Sequence, residues 1–209
     1  MEARNRARGA VLAGVSAAVA VLLRVGVPAA DVPGPQAELR GVVERTLEIL
    51  KRPDLGAKSR AGERGALLRR TIRPIFDFEE MSKRSLGPEW RNRTPGEREA
   101  FVALFAELLE NAYLGKIESY RGETIRYGKE TIRAPYAVVG TLIVTTRGQE
   151  IPVDYRMLEE DGRWRIYDVV IEGVSLVNNY RSQFKSILMR STFPEMMDRL
   201  RDTIRKQES

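Results

Sequence analysis

The sequence predicts an α+β domain built on a four-stranded antiparallel sheet. Two changes of apolar spacing predict it: the helical period of 3.6 residues gives way to a period of 2 after Gly122, and helical spacing returns after Gly173. Short turns join the strand segments, which favours an antiparallel meander over a doubly wound sheet. The length of 209 residues suits one domain with a removable leader.

Each predicted helix has recognisable end signals. Thr94 caps the longest one, with Pro95 in its first turn and Glu97 completing a capping box. Asp77 is expected to form the same reciprocal box with Glu80. The helices before the sheet are predicted at residues 39–52, 59–73, 77–86 and 94–120, and those after it begin at the caps Ser175 and Thr192.

The strands are predicted at residues 123–132, 135–146, 150–159 and 163–172. Their apolar residues fall on both faces, so neither face is expected to be open to solvent. In the second strand, one face carries Val138, Leu142 and Val144 and the other carries Val139 and Ile143. In the fourth strand, one face carries Trp164, Ile166 and Val170 and the other carries Tyr167, Val169 and Ile171. Periodicity leaves open whether helices alone cover these faces or helices together with a ligand.

Composition removes most catalytic chemistry. The chain has no His and no Cys, so the usual neutral-pH base, thiol nucleophiles and the commonest zinc ligands are missing. No nucleophile elbow, phosphate loop or dinucleotide motif is present. Asp154, Asp168 and Glu172 could form an acid/base pair or a metal site, but the preferred interpretation is that each is an exposed strand residue or a partner of Arg156, Arg163 or Arg165. We therefore predict no catalytic residue, no metal and no cofactor.

The N-terminus predicts export. Three Arg precede an apolar run over residues 9–23, and small residues at Val27 and Ala29 suit a cleavage site. Residues 1–30 are therefore predicted to be a signal peptide, 31–36 a tether and 37–209 the folded domain. Loss of residues 1–30 removes four Arg and one Glu and lowers the formal charge from +6 to +3, which argues against nucleic-acid binding.

A series of blocks resembles one known family, the periplasmic phospholipid-binding proteins of the Mla pathway, also called toluene-tolerance proteins. The ordered series is specific, whereas each block alone is weak, and the similarity covers residues 39–204. The blocks are Phe-Asp-Phe-Glu-Glu-Met (76–81), Leu-Gly-Pro-Glu-Trp (86–90), residues 101–113, Pro-Val-Asp-Tyr-Arg (152–156), Trp-Arg-Ile-Tyr-Asp-Val (164–169) and Glu-Gly-Val-Ser-Leu-Val-Asn-Asn-Tyr-Arg-Ser-Gln-Phe (172–184).

The resemblance implies a curved sheet wrapped by helices, NTF2-like in shape, with an apolar cavity that holds the acyl tails of a phospholipid. It also implies a monomeric periplasmic shuttle that maintains outer-membrane lipid asymmetry. The implied partners are an outer-membrane lipoprotein/porin complex and an inner-membrane ABC transporter complex with its substrate-receiving subunit. Carried onto this chain, the lipid-lining candidates are Phe105, Leu109, Tyr113, Val138, Leu142, Val144, Val153, Tyr155, Trp164, Val170 and Tyr180.

Three alternatives stay open at this point. The cargo could be a hopanoid, because related sequences serve hopanoid-associated transport. The domain could instead be a non-lipid interaction module with a solid core. An enzyme would need polar groups that converge in the cavity, with Asp154 and Asp168 as the first candidates.

Overall fold

The computed structural model describes residues 33–208 and has an α+β architecture of six α-helices and five strands. The predicted signal peptide at 1–30 lies outside the described residues. The helices are α1 (Pro35–Leu50), α2 (Ala61–Ile72), α3 (Phe78–Leu86), α4 (Pro95–Glu118), α5 (Leu176–Leu188) and α6 (Phe193–Glu208). The strands are β1 (Thr124–Arg133), β2 (Tyr136–Val144), β3 (Glu150–Glu160), β4 (Arg163–Ile171) and β5 (Val174–Ser175).

The sheet is an antiparallel meander in the order β1-β2-β3-β4-β5. The four predicted strands are confirmed, but the count of four is wrong. A fifth strand of two residues follows a tight turn at Glu172 and Gly173, whose φ angles are 49° and 81°. Positive φ at both central residues is the type I′ geometry that matches strand twist. The turn at Asp161 and Gly162, between β3 and β4, has it too, with φ angles of 51° and 71°.

Most helix caps form as predicted. The Thr94 backbone N–H donates to Glu97 Oε2 at 2.8 Å while Glu97 N–H donates to Thr94 Oγ1 at 3.3 Å, which completes the box of α4. Thr192 and Glu195 repeat this arrangement before α6, and Ser175 Oγ accepts from Asn178 N–H at the start of α5. The first helix begins at Pro35, so it includes the last two residues of the predicted tether.

The cap of α3 is only half of the predicted box. Asp77 Oδ1 accepts from Glu80 N–H at 2.9 Å, but the Glu80 side chain bonds to Lys83 and Arg84 instead of reaching back. The Asp77 N–H already donates to the backbone oxygen of Ile166 in β4, at 2.9 Å. The reciprocal half of the prediction is wrong because a tertiary contact uses the same donor.

The two faces of the sheet have different surroundings. The core face shares one hydrophobic cluster with the helices, and α1 lies over its β1–β2 part. The outer face carries Tyr136 and Val138, which are 43% and 38% exposed, so the expectation that both faces need cover is wrong here. The core-face residues are Tyr127, Ala137, Val139, Thr141, Ile143, Ile151, Val153, Tyr155, Met157, Trp164, Ile166, Val169 and Ile171.

A β-bulge changes which residues of β4 share a face. Met157 pairs with Ile166, but the next residue back, Arg156, pairs with Asp168, which leaves Tyr167 as the extra residue. Trp164 and Ile166 therefore share the core face with Val169, while Val170 lies on the outer face. The predicted grouping of Trp164 and Ile166 with Val170 is wrong because strict alternation fails at the bulge.

The helices make the rest of the core. α4 packs mainly against α6, α3 and α2, whereas α5 packs on α3 and on β4. Phe101 and Phe105 of α4 are fully buried and lie against Phe184 of α5 with ring centroids 5.4 and 5.5 Å apart. Within residues 33–208, no helix is both long enough and apolar enough to cross a membrane.

Candidate functional site

The core face is closed at one end of the sheet and open at the other. Ala137, Met157 and Ile166 form one row across β2, β3 and β4 and are 2%, 0% and 1% exposed. Toward the β2–β3 turn, the paired residues Ile143 and Ile151 are only half-buried. The chain thus places aliphatic side chains where packing by helices is incomplete, and we call this part of the core face the open end.

Two tyrosines stand beside the open end. Tyr155 keeps some accessible surface, yet desolvation raises the pKa of its hydroxyl to about 12, and a hydrogen bond with Thr141 opposes that shift only in part. Desolvation also raises the pKa of Tyr127. The Arg40 guanidinium of α1 lies 4.0 Å from the centre of the Tyr127 ring. Both tyrosines are therefore neutral near pH 7 and present hydroxyl donors in a largely apolar setting.

Helices α4 and α5 contribute a second apolar wall. The Phe105 and Tyr180 rings meet edge to face with centroids 5.1 Å apart, and Leu109 lies one turn further along α4. Burial raises the pKa of Tyr180, and the nearby Tyr113 adds to the shift. These four side chains are apolar or neutral, so the wall offers contact area without charge.

The predicted lining residues divide into three groups. Phe105, Leu109, Tyr113 and Tyr180 lie together between α4 and α5, as described above. Val153 and Tyr155 lie on the core face near the open end, whereas Trp164 lies on the same face at the closed end. The remaining candidates lie on the outer face: Val138, Leu142, Val144 and Val170.

The outer-face placement corrects the prediction that all eleven residues share one cavity. Val139 pairs with Tyr155 and Thr141 with Val153, so the even-numbered residues of β2 point away from Tyr155 and Val153. Alternation alone cannot say which face the helices cover. The four outer-face residues are therefore separated from the other seven by the sheet itself.

The prediction omitted several residues of the open end: Tyr127, Ile143, Ile151 and Ile171. The signal that could have found Ile143 and Ile151 is the clean alternation of Ile151, Val153, Tyr155 and Met157 in the third strand. Extending that face across the neighbouring hairpin selects Ile143 and not Leu142.

A polar cavity of about 190 Å³ lies at the outer side of β4. Asp168 is only 3% exposed there and accepts from Arg156 Nη1 at 3.0 Å, from the Ser175 hydroxyl at 2.7 Å and from Val177 N–H at 3.0 Å. Of the interpretations that the sequence left open for Asp168, the structure shows the ion pair with Arg156. Asp154, the other candidate of an acid/base pair, is exposed.

The described residues hold no cluster of three or more acidic side chains that could bind a metal ion. Two cavities, one at Asp168 and one between α2 and α4, are lined mainly by polar and charged residues. An enclosed apolar cavity between sheet and helices stays a prediction, and the open end of the core face is the candidate site.

Comparison with known proteins identifies similar chains. A family model described as MlaC protein matches residues 40–202. The toluene tolerance protein ttg2D of Pseudomonas putida is 23% identical over 159 residues, which cover 75% of this chain and 74% of that protein. The intermembrane phospholipid transport system binding protein MlaC of Haemophilus influenzae is 20% identical over 142 residues, which cover 66% of each chain.

A solved structure has the same fold. It is the phospholipid-binding protein from Ralstonia solanacearum in complex with a phospholipid, determined at 1.53 Å. The TM-score is 0.74 at 24% sequence identity, and the match covers 85% of this chain and 100% of that one.

Proposed function

The chain belongs to the MlaC protein family, and on that premise we propose that it binds a phospholipid and carries it between membranes. The observation that supports this most is the partly exposed apolar surface at the open end of the core face. A soluble domain normally buries such a surface, because leaving aliphatic side chains in water costs free energy. Acyl chains of a bound lipid would complete the burial.

The size of the hydrophobic effect explains why a carrier is needed. At about 0.8 kcal/mol per buried methylene, roughly 30 methylenes in two tails correspond to more than about 20 kcal/mol of aversion to water. Free diffusion of the lipid between membranes is negligible at that cost. A carrier has only to offer an interior that is about as favourable as the bilayer, so it can both load and unload.

The tails would lie between the core face of the sheet and helices α1, α4 and α5. Ile143, Ile151 and Ile171 would contact them from the sheet side. Phe105, Leu109, Tyr113 and Tyr180 would contact them from the helix side, provided that α4 and the sheet separate enough to admit the chains. No charged side chain belongs to this lining, which suits hydrocarbon and would oppose a polar ligand.

The proposed route follows from the sequence and the family. Export by the leader at residues 1–30 would deliver the protein to the periplasm. There it would act as a monomer between an outer-membrane lipoprotein/porin complex and an inner-membrane ABC transporter complex, and so maintain outer-membrane lipid asymmetry. Docking to these complexes would open the lipid site, since the chain has no His to serve as a pH switch near neutrality.

Native mass spectrometry of the purified protein tests the carrier function. We expect a bound mass that matches a phospholipid and disappears on detergent extraction. A bound mass that matches a hopanoid would support the carrier function, with a hopanoid as the cargo in place of a phospholipid. Consistently empty protein from lipid-rich cells would contradict the proposal and favour an interaction module with a solid core.

Two neighbouring substitutions test the position of the site. Ile143→Arg puts a charge at the open end of the core face, where a long side chain can extend to solvent without unfolding the sheet. We expect it to reduce lipid retention at least about tenfold, since a charge facing the tails costs several kcal/mol.

The matched control is Leu142→Arg on the outer face of the same strand. It should retain lipid at the level of the original protein and keep its melting temperature. If only Leu142→Arg loses lipid, the lipid binds on the outer face of the sheet, as the sequence predicted. That result would contradict a site at the open end of the core face.

A further inference from the structure

A single buried hydroxyl stands out at the open end of the core face. Tyr127 pairs with Thr141 across β1 and β2, and Thr141 pairs with Val153, so Tyr127 lies one row inside the half-buried Ile143 and Ile151. Its hydroxyl oxygen is buried and has no hydrogen-bond partner among the described residues. A buried donor without an acceptor costs free energy, so an acceptor supplied by a ligand would remove that cost.

The surroundings fix the direction of this hydroxyl. Arg40 of α1 stacks on the Tyr127 ring at 4.0 Å, and the Glu44 carboxylate lies close enough to raise the pKa of the hydroxyl. The Thr141 hydroxyl donates to the Val153 backbone oxygen at 3.0 Å and hydrogen-bonds with Tyr155, and neither contact involves Tyr127. A phenol cannot rotate its oxygen toward another partner without moving the whole ring.

The other two buried hydroxyls without partners differ in this respect. Ser82 and Ser85 lie on α3, outside the core face of the sheet. A helical serine can turn its hydroxyl toward the carbonyl one turn back at little cost. Tyr127 would have to move its whole ring to reach another acceptor, which makes it the informative one of the three.

The groups around Tyr127 match the parts of an ester-linked lipid. The exposed Arg40 of α1 stacks on the Tyr127 ring, the Tyr127 hydroxyl is buried, and aliphatic and aromatic side chains form the rest of the core face. A glycerophospholipid likewise joins an anionic phosphate, two ester carbonyls and hydrocarbon tails. An ester carbonyl is an acceptor without a donor, which is what an unpartnered hydroxyl requires.

We infer that the Tyr127 hydroxyl donates a hydrogen bond to an ester carbonyl of the cargo, so that the site selects ester-linked glycerolipids over lipids without that carbonyl. This inference rests on the proposed carrier function and adds the chemical class of the cargo to it. Tyr127 then determines which class of lipid binds, whereas the surrounding aliphatic residues bury the tails of any lipid.

The test uses a competition between two lipids that differ only at the ester. The full-length exported protein is incubated with vesicles of equal parts diester and diether phosphatidylglycerol with the same chain length. Bound lipid is then quantified by mass spectrometry. One neutral hydrogen bond corresponds to about a fivefold preference, so we expect about fivefold enrichment of the diester form in the original protein and none in Tyr127→Phe.

A stability measurement separates binding from folding. Tyr127→Phe keeps the ring and the Arg40 stacking, so the protein stripped of lipid by detergent should melt at the same temperature as the original or slightly higher. Tyr136→Phe makes the same change on the exposed outer face and should leave the diester preference intact.

Several outcomes would overturn the inference. A diester preference that survives in Tyr127→Phe, or no preference in the original protein, would show that the hydroxyl does not recognise the ester carbonyl. A lipid-free Tyr127→Phe that melts several degrees lower would show that the hydroxyl has a partner within the protein. Failure of the original protein to take up either lipid would instead contradict the proposed carrier function itself.

Discussion

Asp168 joins three elements through one buried carboxylate. It lies on β4, its ion-pair partner Arg156 on β3, and its other two donors, Ser175 and Val177, stand at the junction of β5 and α5. Its side chain is nearly inaccessible while that of Arg156 is about 40% exposed. The carboxylate therefore depends on all three donors to offset the loss of water, and its role is to hold α5 on the sheet.

Asp168→Asn should destabilise the domain by about 2 kcal/mol. The amide keeps the shape but loses the charge, and its NH₂ group would face donors that need an acceptor. Urea unfolding followed by circular dichroism measures the change. Asp154→Asn, which alters an exposed carboxylate on β3, should stay within about 0.5 kcal/mol of the original protein. Equal effects of the two substitutions would contradict the structural role of Asp168.

At the scale of single elements, two helix starts depend on a carboxylate. Backbone and side-chain hydrogen bonds from Thr94 lower the pKa of Glu97, and those from Thr192 lower the pKa of Glu195. A carboxyl whose folded pKa lies below its unfolded value stabilises the folded state above the unfolded pKa. That contribution is lost as the pH falls through the folded pKa.

The double variant Glu97→Gln, Glu195→Gln should therefore be less stable than the original protein at pH 7. The difference should shrink as the pH falls below the ordinary glutamate value of 4.5, because the original carboxylates then become protonated. Thermal melts across the pH series measure it, with the exposed Glu99→Gln on α4 as control. A difference that stays constant at every pH would mean that the ionised form adds nothing to the caps.

The elements were predictable wherever a signal is local. Thr94, Ser175 and Thr192 each use residues within three positions, so their caps could be found from the sequence. The half cap at Asp77 was not predictable, since its N–H is used by Ile166 in a distant strand. The β4 bulge is likewise set by pairing with β3, and for that reason the face of Val170 was misassigned.

The candidate site was predictable only in part, and the reason is again non-local. The four aromatic and aliphatic candidates on α4 and α5 lie together because each helix carries apolar residues at helical spacing. Which face of β2 joins them depends on where α1 and the other helices pack, and no pattern within β2 encodes that. Tyr127 was missed because an isolated tyrosine in a polar edge strand gives no periodic signal.

At the scale of the molecule, tight packing and incomplete packing occur in different parts of one core. The aromatic cluster of α4, α5 and α6 is tightly packed, with Phe101 in contact with Phe105, Phe184 and Phe193. The open end lacks this packing, so it can change shape at lower cost than the closed end. Entry and release of a lipid would thus require movement at the open end while the aromatic cluster stays intact.

This arrangement predicts release by contact and not by pH. The chain has no His, and the pKa values of the tyrosines beside the site lie above their usual range. No group at the open end therefore changes charge between about pH 6 and about pH 8. Transfer of lipid from the loaded protein to acceptor vesicles should be independent of pH across that interval.

Addition of the proposed inner-membrane partner complex should accelerate the same transfer by about tenfold or more, because a partner that binds the opened form shifts the population toward it. Repeating the measurement with a partner complex whose ATPase is inactivated distinguishes the effect of docking from that of ATP hydrolysis. Docking alone should suffice to open the site. Equal rates with and without the complex would contradict release by docking. A rate that rises several-fold on acidification alone would require a titrating group that the open end does not contain.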